Sequence, residues 1–344
     1  MKFDPNFKKR NADCGRREGS KGCAFADLMP LRGAGGTGAY IPETRSVSYL
    51  ISGGIMKDKA LCGIMPALMT AFNENGVDTA KVTALTKVLA DAGVHGLYVG
   101  GSSGEMILMT EDERKVLLET VMASVGDRLT VIAHVGTTST AGSLALARHA
   151  EKCGAKAVSS VTPLYYKYGF REVKHYYERL AAETSLPVII YNIPVLTGTT
   201  LSTDQLSEIL SIPNVGGMKF TSSDFFQLER IRSAFPDKVF YNGSDEMLLS
   251  GLAAGADGGI GSTYNVQPKT ILAVYNAYMA NDARGALAYQ AKANRLIAEV
   301  LKYGVLPSCK MLLKLNGLDY GECREPFLPL DGEAIKALSA LKAE

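Results

Sequence analysis

The chain offers almost no net charge to a polyanion. Across 344 residues it carries 37 Lys+Arg and 35 Asp+Glu, a formal net charge of +2, which argues against a nucleic-acid-binding face. It lacks an apolar run of the ~20 residues that a membrane-spanning helix needs. No secretory hydrophobic segment follows the basic residues near the N-terminus. The six cysteines, Cys14, Cys23, Cys62, Cys153, Cys309 and Cys323, include no C-x-x-C pair, and no cluster of cysteines and histidines reads as a zinc motif. They read as reduced thiols, which predicts a cytoplasmic protein. The four histidines yield no nucleophilic triad and no metal-ligating set: His95, His149 and His175 fall on predicted helices or turns, and His134, on a predicted strand, reads as structural.

Against these absences stands a body that is 47% apolar and 21% charged, enough for a full core. Residues 1–55 differ from it. They hold nine Lys/Arg and five Asp/Glu, leaving 28 basic and 30 acidic side chains for the remainder, and they carry a glycine-rich run at 33–38. No helical or strand period persists in them, so they are expected to form a leader without regular structure. Ser52-Gly53-Gly54-Ile55-Met56 reads as a translated ribosome-binding site, with Met56 the expected native start.

From residue 56 onward, short apolar runs alternate with amphipathic stretches. Strands are predicted at 63–71, 96–100, 130–135, 157–162, 188–192, 216–220, 239–241 and 258–261. Helices include Glu111–Val125, opened by the capping box of Thr110 with Glu113, and Thr203–Leu210, capped by Ser202 or Thr203. Continuous apolar strands, each followed by a helix, imply a buried parallel sheet. Eight such units fit a TIM (β/α)8 barrel over 56–268. No G-x-G-x-x-G follows the first strand to favour an open doubly wound sheet. Residues 269–344 predict a C-terminal helical extension, with helices at 269–279, 283–301, 306–315 and 332–342. On the second of these, Leu287, Ala291, Leu296, Val300 and Tyr303 are expected near one face.

Chemistry in such a barrel gathers at the carboxyl ends of the strands. Lys219, near the end of the sixth strand, is the leading candidate. Burying an ammonium is costly, burial lowers a lysine's pKa, and the free amine attacks carbonyl carbon to form a Schiff base. Tyr191 ends the fifth strand and can pass protons near that amine. Ser102 and Ser103, with the backbone N–H groups around them, form a candidate carboxylate site, although Ser102 with Glu105 also fits a helix capping box. Asp245 and Glu246 are candidate acceptors for hydroxyls or caps for the following helix, and Ser262 extends the same rim. Tyr165 and Tyr166, after the fourth strand, fit a pocket wall or a subunit contact.

Three segments in order, Gly-Gly-Ser-Ser-Gly-Glu at 100–105, Tyr-Asn-Ile-Pro at 191–194 and Gly-Met-Lys-Phe-Thr at 217–221, resemble the pyruvate-dependent class I aldolases, the family that includes dihydrodipicolinate synthase and N-acetylneuraminate lyase. Within it the lyase branch matches best, through Ser160-Val161-Thr162-Pro163, Tyr241-Asn242-Gly243, Asp245-Glu246 and the run 259–265. Leu196 stands where the synthase has an arginine for its second substrate's carboxylate, a contact leucine cannot make. Ser103 replaces a common threonine, and Ser244 replaces an aromatic residue of some lyases.

The resemblance implies retro-aldol cleavage of N-acetylneuraminate through Lys219, with Tyr191 as proton relay and Ser102 and Ser103 on the carboxylate. Thr221, Gly243, Asp245, Glu246 and Ser262 would bind the remaining sugar. It further implies no cofactor, pyruvate as product, a homotetramer, and Tyr165 lent to a neighbouring subunit. The alternatives are an aldolase for another 2-keto-3-deoxy sugar acid, a synthase-like condensing enzyme, and a ligand sensor without turnover.

Overall fold

The computed structural model describes residues 57–341; the leader and the Met56 start lie outside them. The strands are β1 (Gly63–Pro66), β2 (Phe72–Asn73), β3 (Gly76–Val77), β4 (Gly96–Val99), β5 (Thr130–His134), β6 (Ala157–Val161), β7 (Val188–Asn192), β8 (Val215–Phe220), β9 (Val239–Asn242) and β10 (Gly258–Gly261). Eight of them form one parallel sheet in the order β1-β10-β9-β8-β7-β6-β5-β4. A parallel bridge between Ala67 and Tyr98, with the Leu68 N–H donating to the Tyr98 carbonyl at 2.8 Å, joins β1 to β4 and closes the barrel. The remaining two, β2 and β3, make a small antiparallel hairpin.

The outer ring is built from α1 (Thr79–Asp91), α2 (Glu111–Val125), α3 (Thr140–Lys152), α4 (Phe170–Glu183), α5 (Pro194–Thr197), α6 (Thr203–Leu210), α7 (Phe225–Ala234), α8 (Leu248–Ala253) and α9 (Pro268–Met279). The extension continues in α10 (Ala283–Tyr303), α11 (Val305–Leu315) and α12 (Gly332–Ala340). The capping box of Thr110 and Glu113 starts α2, and Ser202 with Gln205 forms a second at α6. None of the described helices is long and apolar enough to cross a membrane.

Pleating sorts the core into two layers. On β7, Val188 and Ile190 pack outward under the helices, while Ile189 and Tyr191 join the cluster inside the barrel. On β8, Met218 and Phe220 face outward, so Lys219 between them faces the barrel axis. The register aligns Tyr191, Lys219 and Tyr241 across three neighbouring strands.

Two sequence expectations are corrected. The first strand ends at Pro66 rather than 71: Leu68, Met69 and Ala71 are as buried as a strand, but the chain there turns into the β2–β3 hairpin. On α10 the buried face runs through Ala286, Gln290, Ala293, Leu296, Ile297 and Val300, so Leu296 and Val300 lie on it as expected, while Leu287 and Ala291 are exposed. In the first half of α10, which packs on α9, the seam lies one residue before the all-apolar choice, at Ala286 and Gln290.

Candidate active site

The mouth of the barrel opens into a chamber of about 1110 Å³. Ser102, Ser103, Tyr191, Lys219, Thr221, Gly243, Asp245, Glu246 and Ser262 line it, so nine of the ten candidate residues meet in one cavity. Tyr165 is the exception. It is 89% exposed, on a backbone of φ 76°, with its ring edge against Tyr166. A non-glycine residue at positive φ is uncommon and strained. Tyr165 lies outside the residues lining the chamber of its own chain.

Lys219 is 4% exposed. Its Nζ stands 4.0 Å from the centroid of the Tyr191 ring and 4.7 Å from that of Tyr98. Among the described residues no side chain forms a hydrogen bond or ion pair with this nitrogen. The nitrogen has aromatic faces beside it and no polar side-chain partner to displace when a ligand enters. Tyr98 was not singled out in the sequence, yet its position one residue before the end of β4 puts it inside the barrel by strand alternation alone. Its hydroxyl donates to Ser159 Oγ at 3.0 Å, and burial pushes its pKa well up.

Gly243 is explained by close approach. A Cβ at this position would overlap Thr221 Oγ1 and come within 3.2 Å of Lys219 Cε. Thr221 Oγ1 is buried without a hydrogen-bond partner. Ser103 and Ser262 share a hydroxyl hydrogen bond of 2.6 Å across the mouth. The Asp245 carboxylate accepts from the N–H and hydroxyl of Thr263 at 2.7 and 2.6 Å, while burial holds its pKa above the ordinary value. Glu246, next in sequence, is exposed at the rim. The Asp245 carboxylate therefore buttresses the β10 loop, and does not cap the following helix.

The capping box of Ser102 and Glu105 is overturned. Ser102 starts a 3₁₀ turn without a side-chain cap, and Glu105 lies in the left-handed region at φ 62°. Its carboxylate instead turns inward, pairs with Lys310 at 2.6 Å, and accepts the Arg324 N–H at 2.8 Å. Arg324 also pairs with Glu113. These contacts tie the serine loop to α11 and to the segment after it. Both partners come from more than 200 residues away, beyond the reach of local pattern.

His134 is structural, as expected. The Val161 N–H donates to its Nε2 at 3.2 Å, so Nε2 carries no proton. Burial, then the Arg114 guanidinium and Lys219, hold its pKa well below the ordinary value. Arg114 donates to the carbonyls of Gly136, Gly100 and His134, clamping the ends of β4 and β5 from behind the mouth. Burial lowers its own pKa to about 10. One cluster departs from the expectation of no metal-ligating set: Glu119, His149 and Cys153 converge on the outside of the barrel.

Comparison with known proteins agrees with this geometry. Residues 60–343 match the model of the dihydrodipicolinate synthetase family. An N-acetylneuraminate lyase of Rhizobium meliloti is 45% identical over 278 residues, covering 80% of this chain and 92% of the relative. Among solved structures, a Ruminococcus gnavus sialic acid aldolase mutated at its catalytic lysine superposes with a TM-score of 0.80 at 32% identity, over 83% of this chain and 97% of that one. An N-acetylneuraminate lyase from Fusobacterium nucleatum complexed with pyruvate gives 0.78 at 37% identity, over 83% and 97%. The chain belongs to the dihydrodipicolinate synthetase family.

Proposed function

We propose that the chain cleaves N-acetylneuraminate to N-acetylmannosamine and pyruvate through a Schiff base on Lys219. The observation that carries this reading is the buried, unpaired Lys219 amine inside the barrel mouth, 4.0 Å from the Tyr191 ring. The relatives named above, a lysine-dependent sialic acid aldolase and a pyruvate-bound lyase, support it.

In this reading the open-chain substrate enters with its carboxylate on Ser102 and Ser103. Nζ attacks the C2 ketone, and loss of water leaves an iminium. The iminium draws the C3–C4 electron pair as that bond breaks. Tyr191 takes the proton of the C4 hydroxyl, which becomes the aldehyde of N-acetylmannosamine. Protonation of the enamine at C3 and hydrolysis release pyruvate and restore the amine. Thr221 Oγ1, buried and unpartnered, is suited to a substrate hydrogen bond. Glu246, exposed on the rim, is the freer carboxylate for the sugar's hydroxyls, while the Asp245 carboxylate shapes the wall.

Leu196, 65% exposed on the chamber rim, offers no charge for a second carboxylate, which favours cleavage over a synthase-like condensation. The assembly that fits Tyr165, strained and solvent-facing in one chain, is the homotetramer, where this side chain would complete a neighbour's site. The expected place of action is the cytoplasm. A coupled assay of pyruvate release tests the substrate. N-acetylneuraminate turns over fastest under this reading, and faster turnover of a 2-keto-3-deoxy sugar acid lacking the acetamido group would replace it with the other aldolase. Ligand binding without release of pyruvate would replace it with the sensor.

A further inference from the structure

Three metal-binding side chains gather away from the chamber, on the outer face of the barrel where α2 meets α3. Glu119 lies on α2. His149 lies in the last turn of α3, and Cys153 follows at its C-cap. The spacing from His149 to Cys153 is four residues, which puts both on one helical face. His149 Nε2 is 2.7 Å from Glu119 Oε1 and 3.5 Å from Cys153 Sγ. The three ligand atoms all lie within 4.8 Å of one another.

Two chemistries use a thiol, an imidazole and a carboxylate together. A nucleophilic relay needs the two ring nitrogens to face different partners, one the thiol and the other the carboxylate. Here Glu119 and Cys153 both make their nearest approach to the same nitrogen, Nε2; Nδ1 is farther from the sulfur, at 3.8 Å. Nor is the thiol activated, since burial and then Glu119 push its pKa up. Convergence on one point is what a cation requires. Zn–S and Zn–N bonds of about 2.3 and 2.0 Å at a tetrahedral angle put sulfur and nitrogen about 3.5 Å apart, the separation found from Nε2; the sulfur is also 3.8 Å from Nδ1, beside the ring, so the imidazole turns to aim its Nε2 lone pair between thiol and carboxylate as the cation binds. The carboxylate oxygen would retreat by roughly 0.6 Å from its present 2.7 Å contact, to the ~3.3 Å that two bonds of about 2.0 Å at a tetrahedral angle impose. The C-terminal end of α3 adds the negative pole of the helix dipole, which favours a cation.

We propose that Glu119, His149 and Cys153 form a site for a zinc-class divalent cation that links α2 to α3. Binding forms one metal bond each to Sγ, Nε2 and a carboxylate oxygen. The Cys153 thiol gives up its proton to solvent, and water fills the fourth position. A mixed thiolate–imidazole–carboxylate set suits zinc rather than calcium or magnesium, which prefer oxygen alone. The site is a structural clip and is independent of the substrate assignment, because none of its residues lines the chamber.

The test titrates Co²⁺, a spectroscopic stand-in for zinc, into the full chain and follows the thiolate-to-cobalt charge-transfer absorption. The expected result is a band that saturates at one equivalent, is displaced by Zn²⁺, is lost in Cys153→Ser, weakens in Glu119→Gln, and survives in Cys62→Ser. Zn²⁺ should also raise the Tm of the parent protein and protect Cys153 from alkylation, with neither effect in His149→Ala. A band that persists in Cys153→Ser would overturn the proposal. So would the absence of any band, or rapid alkylation of Cys153 that Zn²⁺ does not slow; the last would point to a nucleophilic thiol instead.

Discussion

Replacing Gly243 by alanine perturbs the lysine without touching it. The new methyl would overlap Thr221 Oγ1, stand 3.0 Å from Thr221 Cβ, and press on Lys219 Cε at 3.2 Å. Carbon pairs are most favourable at about 3.5–4.0 Å, so Lys219 Cε and Thr221 Cβ must each yield by roughly half an ångström, and Thr221 Oγ1, which the new methyl overlaps outright, by more than about 1 Å. Thr221 follows the end of β8 and its side-chain oxygen is buried, which leaves little room to yield. Overpacking of this kind costs about 1–3 kcal/mol of stability. A misplacement of ~1 Å at a reacting group can cost ~10² in rate, so kcat should fall about tenfold. Thr221→Ala separates the two effects. It removes the overlapped oxygen and leaves the contact with Lys219 Cε. In the double variant the stability loss should therefore be smaller than the sum of the single losses, with a coupling of about 0.5–3 kcal/mol, while kcat stays low. Chemical denaturation and pyruvate release on the four proteins measure both. Additive stability losses, or a Gly243→Ala protein with unchanged kcat, would refute the reasoning.

Tyr191→Phe keeps the ring against Lys219 and removes only the hydroxyl. Steady-state kinetics should show kcat lowered by ~10²–10⁴, the span of a lost acid–base group, with Tm little changed. His134 gives a pH signature. Its folded pKa is depressed, so below about 6.5 the unfolded chain binds a proton that the folded protein refuses. Stability from this residue then falls with acidification by up to ~1.4 kcal/mol per pH unit. His134→Asn, which can still accept from Val161, should show a shallower loss between pH 6.5 and 5 in denaturation curves. The buried pair of Glu105 and Lys310 should behave asymmetrically. Glu105→Gln strands an ammonium and should cost ~3–5 kcal/mol, and adding Lys310→Met should recover part of that. It should also raise the KM for substrate, because the serine loop loses its anchor.

Local signals carried most of the barrel. The Thr110–Glu113 and Ser202–Gln205 boxes mark helix starts that need only three residues of context. Strand alternation alone puts Tyr191 and Lys219 on the inner face. Where burial continues past the end of a strand the pattern fails: Leu68 to Ala71 are fully apolar in environment but not in the sheet, and periodicity cannot distinguish a buried loop from a buried strand. The site shows the same division. Residues at strand ends were legible one by one. Glu105 was misread because its partners, Lys310 and Arg324, arrive from the C-terminal extension. Glu119 escaped because it meets His149 and Cys153 only when α2 packs beside α3.

The covalent state of one nitrogen tests the central claim most directly. The full chain is incubated with pyruvate and reduced with borohydride, and its peptides are mapped by mass spectrometry. The predicted result is a single reduced pyruvate adduct on Lys219, absent without pyruvate. An adduct confined to surface lysines, or an unmodified Lys219 in protein that still releases pyruvate from N-acetylneuraminate, would contradict the account.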